Sequence, residues 1–511
     1  MIVRVFSAAL QGVDATEVEI EVHEARGDPR MIIVGLPDTA VRESRDRVLT
    51  AIGNSGFLTP DGRTTVNLAP ADLKKEGPSF DLPIALGCVA HHEKFKEGAL
   101  ESAAAVGELS LDGRVRPVKG VLSLAQEVKR AGRKAIVVPM ENVLEACLVD
   151  GLYVYGVEDL RSAVELLCGE SGRRPHQIDR EAYFNSNRHY EIDFSEVKGQ
   201  LHVKRALEVA VAGNHNILML GPPGTGKSMI AKRIATIMPL MSEEEAIETT
   251  KIHSIAGLLD PDQSFLATRP FRSPHHTISD AGLLGGSNNP RPGEVSLAHN
   301  GILFLDELPE FRRSTLEVMR QPLEDGKVTI SRAAGTLTFP SQFMLVAAMN
   351  PCACGYFGDP KRDCRCSPNE VQKYRKRISG PLLDRIDLHL EVPAIDYQEL
   401  SDKAEGEPSE AIRDRVQAAR EIQQERYALT RGTVTNSTMP PKLRAQVCQL
   451  DPESSGLLEQ AMGELDLSAR AHDRILKVSR TLADLEGTEN ISANHVLEAI
   501  QYRTLDRNLW G

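Results

Sequence analysis

The sequence predicts a mixed α/β protein, two successive α/β units followed by a helical C-terminal region, and three observations carry that prediction. Residues 1 to about 168 alternate strand-like and helix-like segments. Segments 216–221 (NILMLG), 301–307 (GILFLDE) and 343–350 (FMLVAAMN) are apolar almost throughout, as strands of a parallel sheet covered on both faces must be. From about 400 onward the apolar residues recur at helical spacing.

Along the chain, the first unit (1–168) offers strands at 18–22 (VEIEV), 31–36 (MIIVGL), 65–70 (TVNLAP) and 133–139 (RKAIVVP), with a helix over 39–55. Residues 169–189 are polar, carry Gly and Pro and lack periodicity, so they read as an exposed linker. The second unit spans 190–398. The helical region, 399–511, includes helices at 410–429, 471–487 and 491–503, the last capped by Ser492.

Composition excludes several classes. With 41% hydrophobic and 26% charged residues, the chain is neither disordered nor fibrous. Lys+Arg 60 against Asp+Glu 72 leaves −12, so any nucleic-acid contact must come from a local basic patch or a pore. The start, MIVRVFSAAL, lacks a basic segment followed by an apolar core, and no run approaches the ~18 apolar residues of a membrane span. A cytoplasmic protein that makes no membrane contact is expected.

Gly221-Pro222-Pro223-Gly224-Thr225-Gly226-Lys227-Ser228 follows the apolar run 216–220 and opens a helix predicted over 229–238, the strand–loop–helix context of a phosphate-binding P-loop. Glycines let backbone N–H groups converge on phosphate oxygens, and the helix N-terminus adds positive partial charge. Lys227 can reach the β- and γ-phosphates, and the Ser228 hydroxyl can ligate Mg2+. ATP and Mg2+ are the expected ligands. Seventy-eight residues beyond Ser228, the run 302–305 delivers Asp306 and Glu307 at its C-terminal end, where open α/β sheets bind ligands. Asp306 is expected to hold the magnesium and Glu307 to polarise the attacking water, unless the pair merely ends a strand in solvent. Asn350 closes the third strand at the same edge, placed either to orient the water or to turn the chain before Pro351.

Four of the eight cysteines, Cys352, Cys354, Cys364 and Cys366, fall within fifteen residues. Four sulfurs suit a tetrahedral structural Zn2+, but Cys-x-Cys is tighter than the common knuckle spacing, so free or redox-active thiols stand as the alternative. His253, His275 and His276 are remote in sequence and read as packing or pore residues rather than ligands. Between 361 and 377, seven basic residues (Lys361, Arg362, Arg365, Lys373, Arg375, Lys376, Arg377) meet only Asp363 and Glu370, a local +5 in an acidic chain. With Tyr374 available for stacking, this stretch suits sequence-independent contact with nucleic-acid phosphates. A solvated helix face, or a contact with the acidic remainder of another subunit, is the alternative.

The order P-loop, Asp-Glu strand, strand-terminal Asn, Gly380-Pro-Leu-Leu-Asp-Arg385-Ile-Asp, then helices, resembles that of AAA+ ATPases. The long insert before the Asp-Glu strand, with a hairpin expected over 327–339, resembles the magnesium-chelatase and MCM helicase branch. Pro270-Phe-Arg-Ser-Pro-His-His-Thr277, Asn350-Pro-Cys-Ala-Cys-Gly-Tyr-Phe-Gly-Asp359 and Tyr374-Arg-Lys-Arg-Ile-Ser-Gly-Pro-Leu-Leu-Asp-Arg-Ile-Asp387 are similar to the YifB/ComM family, and the likeness covers essentially the whole chain. It implies an AAA+ core over 190–398 and a helical lid over 399–511. It further implies Arg385 as the arginine finger reaching a neighbouring subunit's γ-phosphate and Arg470 as the lid's sensor arginine, with Arg474 a nearby competitor; each is otherwise a surface ion-pair partner. The implied activity is that of a homohexameric ATP-driven DNA helicase or translocase promoting branch migration in natural transformation or homologous recombination. Single-stranded or branched DNA would be its substrate and recombination proteins its candidate partners. A magnesium-chelatase-like or chaperone-like ATPase that remodels a protein partner is the alternative.

Lys75-Glu-Gly-Pro-Ser79 and the segment 106–120 resemble the Lon peptidase domain, with Ser79 in the serine slot. The position of that family's lysine is Leu122 here, and Lys119 lies three residues early. A serine without a desolvated amine is a poor nucleophile, so the resemblance implies a Lon-peptidase-like N-terminal domain that is inactive.

Overall fold

Alternating burial begins at the second residue. In the computed structural model, which describes residues 2–260, 264–286, 291–332, 335–394, 406–430 and 434–505, Ile2–Gln11 forms β1. The expected boundary at 398/399 lies outside the described residues, as do Ala333 and Ala334 of the expected hairpin. The chain divides into two units: Met1–Arg188 with Glu243–Ala267 and Ser331–Phe339, and His189–Ser242 with Thr268–Ile330 and Pro340–Gly511.

In the first unit β1 pairs antiparallel with β2 (Asp14–Ala25) along its whole length, from Ile2 opposite His23 to Gln11 opposite Asp14. β3 (Arg30–Val34), β4 (Arg63–Ala69) and β5 (Ala103–Ala105) follow, then a small hairpin of β6 (Glu108–Leu109) with β7 (Val115–Arg116), then β8 (Ala135–Pro139) and β9 (Tyr153–Val157). Seven of these form one mixed sheet in the order β3-β4-β2-β1-β5-β8-β9. Helix Asp81–Val89, buried at every position, packs on β1 and β2. A helix with no solvent face must satisfy its own charge: Asp81 accepts Arg47 Nε at 2.9 Å and the Leu109 N–H at 3.2 Å. Helix Glu243–Ala256 belongs to this unit through Ser254, whose hydroxyl accepts the Gly120 N–H at 2.9 Å and donates to the buried Glu145 carboxylate.

Part of the expected linker is folded. Asp179 caps a helix, Arg180–Ser186, by accepting the Ala182 N–H at 3.0 Å, and Phe184 is buried 5.3 Å from the ring of Phe265. One aromatic anchor outweighs a polar composition.

In the second unit β10 (Ile217–Leu220), β11 (Phe271–Arg272), β12 (Ile302–Leu305), β15 (Met344–Met349) and β16 (Leu388–Glu391) form a parallel sheet in the order β11-β12-β15-β10-β16. β13 (Lys327–Arg332) and β14 (Gly335–Pro340), of which Ser331–Phe339 count with the first unit, make a separate two-stranded sheet. Because the five strands run the same way, the loops after β10, β12 and β15 leave from one edge. Helix Leu201–Gly213 packs against helices Ser409–Tyr427 and Ala469–Leu485, and Ser492 caps Ala493–Gln501, its N–H donating to His495 Nδ1 at 3.0 Å. Between these C-terminal helices a buried carboxylate, Asp484, accepts from Arg426, from Arg480 Nε at 3.0 Å and from Asn436 Nδ2 at 2.8 Å. Among the described residues no helix is long and apolar enough to cross a membrane.

Candidate active site

The loop 221–228 joins β10 to helix Lys227–Ile237. Gly224 (φ +81°) and Gly226 (φ +83°) are left-handed, a conformation that side-chain-bearing residues resist, and they turn successive N–H groups to one side. Lys227, only 8% exposed, donates Nζ to the carbonyls of Gly221 (2.7 Å) and Pro222 (2.8 Å) and to Asn350 Oδ1 (3.3 Å). Burial pulls its pKa down to about 8, with Asp306 opposing the shift. Thr225 is buried, its hydroxyl donating to the Pro222 carbonyl at 3.1 Å. Gln200, which sequence reasoning missed, is buried against the loop and donates Nε2 to the carbonyls of Thr225 (3.4 Å) and Pro393 (3.3 Å).

Ser228 Oγ donates to Asp306 Oδ2 at 2.5 Å, so the two residues read as magnesium ligands meet across the edge of the sheet. A hydroxyl and a carboxylate are the hard oxygen donors that Mg2+ prefers. Glu307 takes a left-handed backbone (φ +51°), costly for a residue with a side chain, and its N–H donates to Asp306 Oδ1 at 2.9 Å. Its exposed carboxylate lies 3.5 Å from His276 Nδ1, and His276 packs 4.1 Å from the His275 ring. His276, read from sequence as a packing or pore residue, is thus the imidazole beside Glu307. Lys227, Ser228, Asp306, Glu307 and Asn350 come together; Arg385 and Arg470 do not join them. Arg385 pairs with Glu324 and donates to the Pro381 carbonyl, while Arg470 Nη1 lies 2.6 Å from Asp384 Oδ2 and is two-thirds exposed. The competitor Arg474 pairs with the buried Asp387, which also faces His215 Nδ1 at 3.2 Å.

The cysteines converge. Cys352 Sγ lies 3.3 Å from Cys354 Sγ and 3.7 Å from Cys364 Sγ, Cys354 and Cys364 are 3.6 Å apart, and the ligand atoms of all four lie within 4.8 Å of one another. A tetrahedron of ~2.3 Å metal–sulfur bonds has edges of ~3.8 Å, so the four thiols can hold one metal ion. The backbone N–H groups of Tyr356 and Arg365 aim at Cys354 and hold its pKa down to about 6, favouring the thiolate.

Of the seven basic residues, Lys361, Arg362, Arg365, Lys373, Lys376 and Arg377 are exposed. Arg375 is not: it is 9% exposed, donates Nε to the Pro351 carbonyl at 3.2 Å and lies 5.0 Å over the Phe357 ring. Tyr374 is also buried, its pKa pushed up to about 12 by burial, so the stacking role expected for it has no exposed ring. The reason is helical spacing: Val371, Tyr374, Arg375 and Ile378 form the inward stripe beginning in helix Pro368–Arg375. On the outward side Lys373, Lys376, Arg377 and Arg313 line an open cavity of about 620 Å3 with Phe311, and Arg377 is tied to Glu310 at 2.8 Å.

In the first unit Ser79 sits on the turn Pro78–Phe80. Leu122 is wholly buried, its N–H donating to Glu145 Oε1 at 2.8 Å. Lys119 lies along Gly257, where a Cβ would come within 2.4 Å of its Cε.

Residues 193–400 match the family described as magnesium chelatase, subunit ChlI, residues 20–142 match subunit ChlI of Mg-chelatase, and residues 406–503 match its C-terminal family. The chain is 43% identical over 510 residues to competence protein ComM of Haemophilus influenzae, covering 99% of this chain and 98% of that protein. It is 43% identical over 507 residues to YifB of Escherichia coli, covering 99% and 97%. A shorter likeness, 30% identity over 181 residues and 32% of each chain, links it to Lon protease 2 of Bacillus subtilis.

Proposed function

Because the chain belongs to the YifB/ComM family of magnesium-chelatase-like AAA+ ATPases, we propose that it is a homohexameric ATPase that couples hydrolysis to movement along DNA and so promotes branch migration. The observation that carries this reading is the convergence of Lys227, Ser228, Asp306, Glu307 and Asn350 on one edge of a parallel sheet. Loop N–H groups and Lys227 bind the phosphates. Ser228 and Asp306 would hold Mg2+, which would supply charge neutralisation at the phosphates. Glu307 takes the proton of the attacking water, His276 positions its carboxylate, and Asn350 fixes the Lys227 ammonium. Arg385 acts on the γ-phosphate of a neighbouring subunit, exchanging Glu324 for phosphate on assembly, and Arg470 senses nucleotide from the lid. The competence role in the name of the H. influenzae relative and the basic groove of Lys373, Lys376 and Arg377 support DNA as the track.

Four thiols at tetrahedral spacing support a structural Zn2+. The buried Leu122 in place of a lysine supports an N-terminal domain (1–168) without peptidase activity. The test is ATP turnover with and without forked DNA. DNA-stimulated turnover that vanishes in Glu307→Gln, with nucleotide binding retained, supports the reading. Turnover indifferent to DNA favours a remodelling ATPase acting on protein, and normal turnover in Glu307→Gln removes that residue from the mechanism.

A further inference from the structure

The four-cysteine cluster and the phosphate-binding loop are built as one piece. Asn350, whose Oδ1 accepts from Lys227 Nζ, is two residues before Cys352. The chain then turns: the Gly355 N–H donates to the Cys352 carbonyl at 3.0 Å, with Gly355 at φ +89°. At Gly355 a Cβ would stand 2.6 Å from both Cδ and Cγ of Pro223, so the bare face of this turn is pressed against the ring of a P-loop residue. Arg375 grips the same segment from behind through the Pro351 carbonyl and the Phe357 ring. The segment therefore touches the nucleotide loop at two points, Asn350 on Lys227 and Gly355 on Pro223.

What closes the segment's other side is the meeting of Cys352 and Cys354 with Cys364 and Cys366. Thiols are weak donors and acceptors, so four of them hold a loop poorly, whereas a metal ion bonded to all four fixes it. We propose that a thiolate-seeking divalent cation of the Zn2+ class, bound by these four cysteines, sets the nucleotide affinity of the P-loop by holding Asn350 against Lys227 and Gly355 against Pro223. Gly355 and Asn350 are then positioning residues through which metal occupancy is read. This inference rests on the metal reading of the four cysteines given above.

The test uses the full-length chain, its zinc content by atomic emission and its affinity for a fluorescent ATP analogue by titration. Wild type is expected to carry one zinc per chain. Chelation by a Zn2+-selective reagent, with Mg2+ held in excess, is expected to weaken nucleotide binding about tenfold, the scale of one lost hydrogen bond to a charged group, and added Zn2+ to restore it. The double variant Cys364→Ser, Cys366→Ser, altered far from the P-loop in sequence, is expected to show the same loss without rescue. Gly355→Ala is expected to keep its zinc and still bind nucleotide about tenfold more weakly. Wild type that takes up no Zn2+ overturns the metal reading itself. Zinc that binds, but whose removal leaves nucleotide affinity within about twofold, overturns the coupling alone. Should chelation unfold the chain, Gly355→Ala decides, because its thiols are intact: unchanged nucleotide affinity there overturns the proposal.

Discussion

If Lys227 holds phosphate as proposed, nucleotide binding should be pH-dependent in a range where an ordinary lysine would leave it flat. Its ammonium is buried among the carbonyls of Gly221 and Pro222 and the Asn350 side chain, and that burial brings its pKa from 10.5 to about 8. Only the charged amine attracts phosphate, and phosphate in turn keeps it charged. Above pH 7.5, where nucleotide phosphates are already ionised, the binding-competent fraction should fall about 25-fold by pH 9.5, equivalent to ~2 kcal/mol of apparent affinity. A lysine of ordinary pKa would lose only about a tenth of its charge over that interval. Folding moves the other way: between about pH 8 and 10.5 the unfolded chain holds a proton that the folded chain has shed, so this group's contribution to stability rises with pH. The assay is equilibrium titration with a fluorescent ATP analogue across that range, for wild type and Lys227→Arg. The arginine variant, never deprotonated, should bind with a flat profile. A flat wild-type profile, or an equal decline in both, would refute the assignment of Lys227 as a desolvated phosphate ligand.

Three other outcomes follow from the same geometry. Arg385→Ala should leave nucleotide affinity within about twofold and lower steady-state turnover by ~10³, since a finger acting in trans contributes to hydrolysis and not to binding; equal loss of both would place Arg385 in the fold instead. Replacing Lys373 and Lys376 together by Ala should flatten the plot of log affinity for single-stranded DNA against log salt by about 0.7 for each lysine that neutralises a phosphate, and an unchanged slope would take the groove off the DNA path. Asp484→Ala, which strips the buried counter-ion from Arg426 and Arg480, should destabilise the C-terminal helices by ~3–5 kcal/mol in denaturant melts, whereas a loss under ~1 kcal/mol would mean that water replaces the carboxylate.

The proposed nucleotide site was legible because its parts are local. A contiguous glycine-bearing loop offers its N–H groups, and an apolar run that ends in Asp306 and Glu307 announces a buried strand with charges at its tip. Clustering within fifteen residues likewise exposed the cysteines. His276 was not readable, because it reaches Glu307 from the loop that follows β11, and only the sheet order β11-β12 makes them neighbours. Helix Glu243–Ala256 looked like an insert of the second unit; its place in the first depends on Ser254 meeting Glu145, 109 residues away, which no periodicity encodes. Arg375 was misjudged with a signal present. Counting charge over 361–377 hid the spacing of Val371, Tyr374 and Ile378, which turns one arginine inward and leaves its neighbours outside.

The most direct test is strand exchange on a three-stranded DNA junction, with the assembly state followed in parallel by light scattering. With ATP and Mg2+ the chain should form hexamers and displace the third strand, while a non-hydrolysable analogue should support assembly without displacement. A chain that stays monomeric with nucleotide and DNA present, or displaces the strand equally well with the analogue, would contradict an ATP-driven motor.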